Sequence, residues 1–472
     1  MYCPKARLAH RRSTAAGIKA TQMTNMNANQ NSTPESQVTR RDFLRTTSAA
    51  IAGASAFGAM SLERSVFAAE NNTLKVALIG CGGRGTAAAG QALNTDGPVK
   101  LVAAADAFDD RLADSLKKLS EKHGAKVEVP KEHQFFGFDG YKQAIALADV
   151  VILATPPGFR PAHFEEAIRQ GKHVFMEKPV ATDAPGVRQV LAAAAEAKKR
   201  NLKVCVGLQR RYQPSYIETV KRIHDGMIGD VVAARAYWNG STPWLHRRAD
   251  LEKQAGRKLT EMEYQMRNWY YFNWICGDHI LEQHIHNIDV INWVMGGYPV
   301  RAQGQGGCEV RKGLDYGEIF DHHFVEFEYA SGARLSSQCR HIRGCWNSVS
   351  EHAVGTKGTA NISSFLIKAK GQADWTHRER SKDPQQIEHD VLFDAIRNNK
   401  TLNDGEIGAK STLTAIMGRM ATYSGQMIEW DEALNSKVSL LPEKLAWDAL
   451  PKSLPDANGL YKLPVPGSTE VV

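Results

Sequence analysis

The 472-residue chain lacks the motifs of several chemistries. Its seven cysteines form no CxxC pair, which excludes a zinc knuckle and a thioredoxin-like redox site. No HExxH occurs, so a helix-borne zinc site of that kind is absent. No internal repeat or long low-complexity stretch follows residue 70. The apolar stretch Thr46–Leu62 is too short, and too rich in Ala, Gly and Ser, to read as a transmembrane helix. A strong basic charge is also missing from the body of the chain. Residues 1–68 hold nine Lys/Arg against three Asp/Glu, which accounts for +6 of the formal +8 and leaves +2. A nucleic-acid partner thereby loses its main support.

The charge is concentrated in a leader. Thr39-Arg40-Arg41-Asp42-Phe43-Leu44-Arg45 precedes the apolar stretch, and Val66-Phe67-Ala68 offers small residues for cleavage. Residues 1–68 are therefore expected to be a leader with a twin-arginine export signal, with translation starting at Met23 or Met26. The alternative is a basic tail with no such role. Export predicts a periplasmic or otherwise exported protein, with the twin-arginine translocase as a passing partner and no integral membrane segment in the mature chain. Twin-arginine substrates normally fold before crossing, so mostly free, buried thiols are expected, with Cys339 and Cys345 the pair to check for a bridge.

The richest segment is Leu74–Gly85, L-K-V-A-L-I-G-C-G-G-R-G. An apolar run ends at Gly80, and Gly82 and Gly85 complete G-x-G-x-x-G. Such a strand, turn and helix start cradle a dinucleotide pyrophosphate. A second apolar run, Val99–Ala105, ends at Asp106, 21 residues beyond Gly85, where such folds place the acid that bonds the ribose hydroxyls. Helical stretches at Thr86–Leu93, Asp109–His123, Arg160–Gln170 and Asp183–Arg200 alternate with strands at Val150–Ala154, His173–Met176 and Val204–Gly207. This predicts a Rossmann doubly wound parallel sheet over residues 74–208. Gly80, Gly82, Gly83, Arg84, Gly85, Asp106, Thr155, Pro156, Glu177 and Lys178 make up the expected cofactor-binding set. Asp106 favours NAD, while Arg84 and Arg111 keep NADP open. A glycine turn without a nucleotide is the plainer alternative.

Beyond Gln209 the alternation stops. β-like runs at Val231–Trp238, Val300–Gly307, His322–Tyr329, Ala333–Arg340 and Gly358–Ser363 predict an α+β domain with a large, mostly antiparallel sheet over 209–400. The helical segment Ile407–Gln426 is expected to pack back on the first domain, within a C-terminal region 401–472.

Two features carry chemistry. Glu177-Lys178-Pro179 follows the strand His173–Met176, where a lysine faces the ligand crevice of a parallel sheet. Gly277–Asp289 (G-D-H-I-L-E-Q-H-I-H-N-I-D), read as one helix, places Asp278, Glu282, His286 and Asp289 on one polar face. Carboxylate–imidazole pairing suits a general base. Convergence of His279, Glu282 and His286 on a metal competes with this, as does a structural histidine cluster; no metal is expected.

These residues resemble the glucose–fructose oxidoreductase/inositol dehydrogenase (Gfo/Idh/MocA) family over nearly all of residues 74–430. The E-K-P motif is matched by Glu177-Lys178-Pro179, and the acid-x-x-x-His-x-x-Asp helix by Glu282, His286 and Asp289. Val206–Tyr212 looks like the link between the domains. The family usually has Asp where this chain has Glu282, and often Gly at His284. The resemblance implies catalysis by Lys178 and His286, with Glu282 orienting His286, on a secondary hydroxyl of a sugar, sugar derivative or glycoside. It also implies a homo-oligomer built through the open face of the second sheet. Arg211, Trp274, Asp278, His279 and Asp289 are the expected substrate contacts, with the aromatic insertion Thr242–Trp274 beside them. Export calls for a tightly bound cofactor that is recycled in place. An NAD-dependent glycosidase working by transient oxidation and elimination, or a non-catalytic sugar-binding protein, stand as alternatives.

Overall fold

The computed structural model describes residues 72–472. The leader, its cleavage site and the alternative start residues lie outside the described residues. Among the described residues no helix is long and apolar enough to cross a membrane.

The first sheet contains β1 (Leu74–Ile79), β2 (Val99–Asp106), β3 (Gln134–Phe136), β4 (Val150–Leu153), β5 (His173–Met176) and β6 (Val204–Val206). All six pair in parallel in the order β3-β2-β1-β4-β5-β6. The strand order reverses between β1 and β4, and ligand crevices open at such a switch point. Helices α1 (Gly83–Leu93), α2 (Asp109–His123), α3 (Gly140–Ala146), α4 (Arg160–Arg169) and α5 (Ala184–Lys199) cover the two faces. Along β1, Val76 and Leu78 enter one core, and Ala77 and Ile79 the other. Both faces are dry, which is why the strand reads as an unbroken apolar run.

The second domain adds α6 (Pro214–His224), β7 (Val231–Gly240), α7 (Arg248–Ala255), α8 (Glu261–Arg267), α9 (Asn273–Cys276), α10 (His279–Glu282), α11 (Ile285–Met295) and β8 (Pro299–Gly307). The run β9 (His322–Tyr329), β10 (Arg334–His341), β11 (Ser348–Gly355), β12 (Gly358–Asn361), β13 (Leu366–Ala369) and β14 (Trp375–Thr376) follows. Then come α12 (Pro384–Arg397), α13 (Gly405–Ser424), β15 (Ile428–Glu429) and α14 (Trp430–Asn435). Nine strands form one sheet in the order β14-β13-β12-β11-β7-β10-β9-β8-β15. Only the β7–β10 pair is parallel.

Five strands, β3, β11, β13, β14 and β15, were invisible to the sequence pattern. β3 is a three-residue edge. β11 turns Glu351 and Ala353 inward, a charge and a small residue in place of an apolar alternation. Burial of Glu351 is offset by Arg210, which donates to it together with Tyr216 Oη at 3.2 Å.

The chain returns twice to the first domain. Leu392 and Phe393 of α12 join the core of Val76 and Leu78. α13 packs between α5 and β8. Its glycines allow this: a Cβ at Gly408 would stand 3.0 Å from Val206, and one at Gly418 2.9 Å from Phe327. The six described cysteines are all free, Cys339 and Cys345 among them.

Candidate active site

The loop after β1 closes tightly. Gly80 has φ +95°, and a Cβ there would lie 2.4 Å from the Thr155 amide nitrogen. A Cβ at Gly85 would come within 1.8 Å of the Gly80 carbonyl oxygen, so helix and turn can touch only through glycine. Gly82 and Gly83 differ: nothing lies within 4 Å of a Cβ built on either. Their open side faces a cleft of about 600 Å³. α1 starts there without a side-chain cap and without an acid in its first turn, leaving N–H groups and the positive dipole end to an anion. The residues present therefore fit a dinucleotide pyrophosphate.

Asp106, at the end of β2, accepts from the Cys81 amide at 2.7 Å and from the Phe108 amide at 2.9 Å. Burial raises its carboxyl against those two bonds. Arg84 points back from α1 to Glu177, donates to Gln91 Oε1 at 2.9 Å, and lies 3.6 Å from Glu388 of α12. It is committed to protein carboxylates, which removes one of the two arginines that kept a 2′-phosphate open. Burial works against the Glu177 charge, but Arg84 and Lys178 hold its carboxyl below the ordinary value. Thr155, Pro156 and Lys178 complete the cleft's inner wall.

Lys178, just past β5, reaches across to the second domain. Its Nζ donates to the Glu282 backbone carbonyl and stands 3.6 Å from that residue's carboxylate. The carbonyl is free because the helix breaks here. His284 N bonds back to His279 O, a π-type step, and His286 N bonds to Gln283 O instead of Glu282 O. Gly277–Asp289 is thus not one helix but α10 and α11 with a turn between them, and the expected single polar face does not form. No hydrogen bond joins Glu282 to His286, so the expected orientation of His286 by Glu282 is replaced by a Lys178–Glu282 pair.

His286 lines the cleft and stacks on Trp238, with centroids 6.1 Å apart. Its neighbours aim it. Asn287 donates to Glu351, and Asp289 takes a bidentate pair from Arg211 at 2.8–3.1 Å plus the Ser411 hydroxyl at 2.7 Å. With α11 clamped on both sides, residue 286 is left facing the cleft. Burial, aided by the Lys178 and Arg210 charges, holds the imidazole well below its ordinary value. Burial raises the Glu282 carboxyl, and Lys178 opposes the rise.

Five expected substrate contacts lie elsewhere. Arg211 and Asp289 form the ion pair just described, away from the cleft. Trp274 is 2% exposed and donates its indole N–H to Gln265 Oε1 at 2.7 Å. Asp278 and His279 are sealed in the core, where the Asp278 carboxylate accepts from His279 Nδ1 at 2.8 Å, the Phe320 amide at 3.0 Å and Tyr423 Oη at 2.6 Å. His323 Nε2 is a further 3.2 Å away. Asp278, His279 and His323 are close enough to be weighed as metal ligands. The carboxylate's lone pairs are already taken by these donors, so the group reads as structural.

The aromatic insertion expected beside the substrate does supply the cleft's outer wall, though through only some of its residues. Trp244, His246, Met266, Arg267 and Trp269 of the insertion line it. Arg267 pairs with Asp110 at 3.1 Å and lies 4.1 Å over the Phe108 ring. Trp447 of the C-terminal tail packs on Phe108 and Phe138, at 5.1 and 4.7 Å. Insertion, tail and first-domain loops share one aromatic core. Tyr270, Tyr271 and Phe272 belong to that core and are buried, so aromatic content alone could not separate wall from filling. Arg160, fully buried behind Glu177 and donating to Thr155 O and Pro179 O, was missed by sequence reasoning; burial lowers its guanidinium to about 10.

Comparison with known proteins agrees with this fold. A family model described as "Oxidoreductase family, NAD-binding Rossmann fold" matches residues 74–207, and the GFO/IDH/MocA C-terminal domain matches 216–361. The chain belongs to the Gfo/Idh/MocA family. It is an oxidoreductase with an NAD-binding domain. Inositol 2-dehydrogenase of Rhizobium meliloti (strain 1021) is 26% identical over 289 residues, covering 61% of this chain and 74% of that protein. The aldose–aldose oxidoreductase of Caulobacter crescentus superposes with a TM-score of 0.59 at 20% identity, covering 76% of this chain and 99% of that one. Levoglucosan dehydrogenase, solved with NADH and levoglucosan, gives 0.58 at 17% identity over 76% of this chain and 99% of that one. These two likenesses establish the fold alone.

Proposed function

We propose that the protein oxidises a secondary hydroxyl of a sugar, sugar derivative or glycoside, using an NAD that stays bound, after export through the twin-arginine pathway. The observation that carries this reading is the meeting of Lys178 and His286 in one cleft with the open glycine cradle. Sugar and polyol dehydrogenases among the relatives support the substrate class.

Each residue then has a task. The glycine cradle and the α1 N-terminus hold the pyrophosphate, and Asp106 faces the ribose. Bound there, NAD would supply the hydride acceptor for the carbinol carbon. His286 is neutral at neutral pH, and its Nδ1 is buried without a partner, which leaves Nε2 to take the hydroxyl proton. Lys178 donates to the same oxygen and stabilises its developing negative charge. Glu282 keeps the ammonium group in place. Retention of the cofactor is supported by the Arg267 and Trp447 contacts, which cross from insertion and tail onto the first-domain loops. A bound cofactor must be recycled by a second substrate, or by reversal of the hydride transfer within one cycle.

The test is to denature the purified mature protein, identify any released nucleotide by mass spectrometry, and screen sugars, inositols and glycosides for keto products. Near one equivalent of NAD(H) with a lasting keto product is expected. Free aglycone with unchanged cofactor would turn the reading to a glycosidase. No nucleotide, and none taken up on adding NAD or NADP, would overturn both and leave a binding protein.

A further inference from the structure

A second cavity, of about 370 Å³, shares no lining residue with the cofactor cleft. The start of α9, the residue Glu318, one face of α13 and the C-terminal tail enclose it. Its body is apolar, with Trp274, Met420, Leu440 and Leu454 in the wall. Two charged side chains break that surface.

Arg419 of α13 is 5% exposed. Among the described residues its guanidinium has one hydrogen-bond partner, the Gly277 carbonyl, which accepts from Nη1 at 3.0 Å. Among the described residues no carboxylate forms an ion pair with it. A buried cation without a counter-charge is costly to keep unless something else supplies the charge. Glu318 stands in the same wall, 8% exposed. Its Oε1 accepts from the Asn273 amide at 2.9 Å, while Oε2 is buried without a partner. Burial pushes this carboxyl up to about 7, against the Asn273 bond. The other charged groups around the cavity are Asp183, which caps α5 and accepts from the Leu440 amide, and Lys452, Lys462 and Glu470 of the tail.

We infer that this cavity binds a small organic monocarboxylate with an apolar body, such as an aromatic or branched aliphatic acid, its carboxylate on Arg419 and beside Glu318. The ligand's charge supplies what Arg419 lacks. Glu318, its Oε1 held by the Asn273 amide, stands in the same wall, and the apolar walls cover the rest. An uncharged isostere leaves Arg419 unpaired and binds more weakly. The inference is independent of the proposed reaction, since neither Lys178 nor His286 takes part.

The experiment uses the whole mature protein with its nucleotide bound. Benzoate is titrated by calorimetry and by Trp fluorescence, with Trp274 as the reporter in the wall, and benzamide is the neutral control. Saturable benzoate binding is expected, with benzamide at least about tenfold weaker, the size of one lost charge-assisted hydrogen bond. Arg419→Gln should lose about tenfold or more in affinity. Because Arg419 also holds Gly277, Leu454→Trp serves as a second variant. It fills the cavity from the tail and should abolish binding while circular dichroism and bound nucleotide stay as in the wild type. Overturning results are no saturable binding to the folded protein, equal affinity for benzamide, or unchanged benzoate affinity in both variants.

Discussion

Two polar clusters lie within a few residues of each other and use the same side-chain types, yet they do different work. Asp278, His279, His323 and Tyr423 form one, and Lys178, Glu282 and His286 the other. In the first, the carboxylate takes up four donors, the His279 amide and ring, the Phe320 amide and the Tyr423 hydroxyl, and the unpartnered Nε2 atoms of His279 and His323 are sealed in the core with no cleft beside them. In the second, Glu282 Oε2 and His286 Nδ1 have no partner among the described residues, and the side chains border a cleft. Histidines and acids alone do not mark a site. Unspent hydrogen-bonding capacity beside an open space does.

The sharpest way to break this contrast is mutation of each cluster. Lys178→Ala and His286→Ala should each lower turnover about 10²–10³-fold, the range for removing one oxyanion donor or a general base, with nucleotide still bound. Asp278→Ala should give the reverse. Loss of a buried, fully partnered carboxylate should destabilise the protein by about 3–5 kcal/mol in urea titration, with turnover per folded molecule little changed. If Asp278→Ala removes turnover from a protein of wild-type stability, the two clusters have been assigned the wrong way round.

It was the first cluster, expected to touch substrate, that the sequence pattern misplaced, and for a physical reason. The glycine loop, Asp106 and Lys178 were legible because their roles depend on strand ends and turn conformations, which local sequence dictates. Of the five misplaced contacts, Arg211 and Trp274 lie in the link and the insertion, while the other three, Asp278, His279 and Asp289, lie in the one helix assumed across Gly277–Asp289. Helical spacing persists through that stretch, and the break after Glu282 goes with a lysine about a hundred residues earlier that takes the freed carbonyl. Nor could the pattern show that Asp289 belongs to Arg211 and Ser411, since those partners arrive from the linker and from α13. The outer wall was partly visible as an aromatic insertion, but only packing separates Trp244 and Trp269 on the cleft from Tyr271 and Phe272 in the core.

Acidity sharpens the comparison further. Burial lowers the His286 imidazole, so it is a free base throughout the neutral range. The kcat/KM profile should stay flat from about pH 8 down to about pH 6.5 and fall only below that, as protonation removes the base. A fall centred at or above the ordinary imidazole value would show that a different group accepts the proton. The smallest expected effect is at the clasp. Trp447→Ala removes two ring contacts worth about 0.5–1.5 kcal/mol each and should speed nucleotide release about tenfold, measured by dilution into a nucleotide scavenger, without changing the hydride-transfer rate.

The most direct measurement is single-turnover absorbance of reduced nicotinamide after mixing NAD-loaded protein with a panel of aldoses, inositols and glycosides, for the wild type and for Lys178→Ala in parallel. A burst of reduced nicotinamide in the wild type, slowed at least about a hundredfold in the variant at equal nucleotide occupancy, is the predicted result. A burst of equal rate in both would contradict the assignment of Lys178 to the reacting oxygen, and with it the account of this cleft.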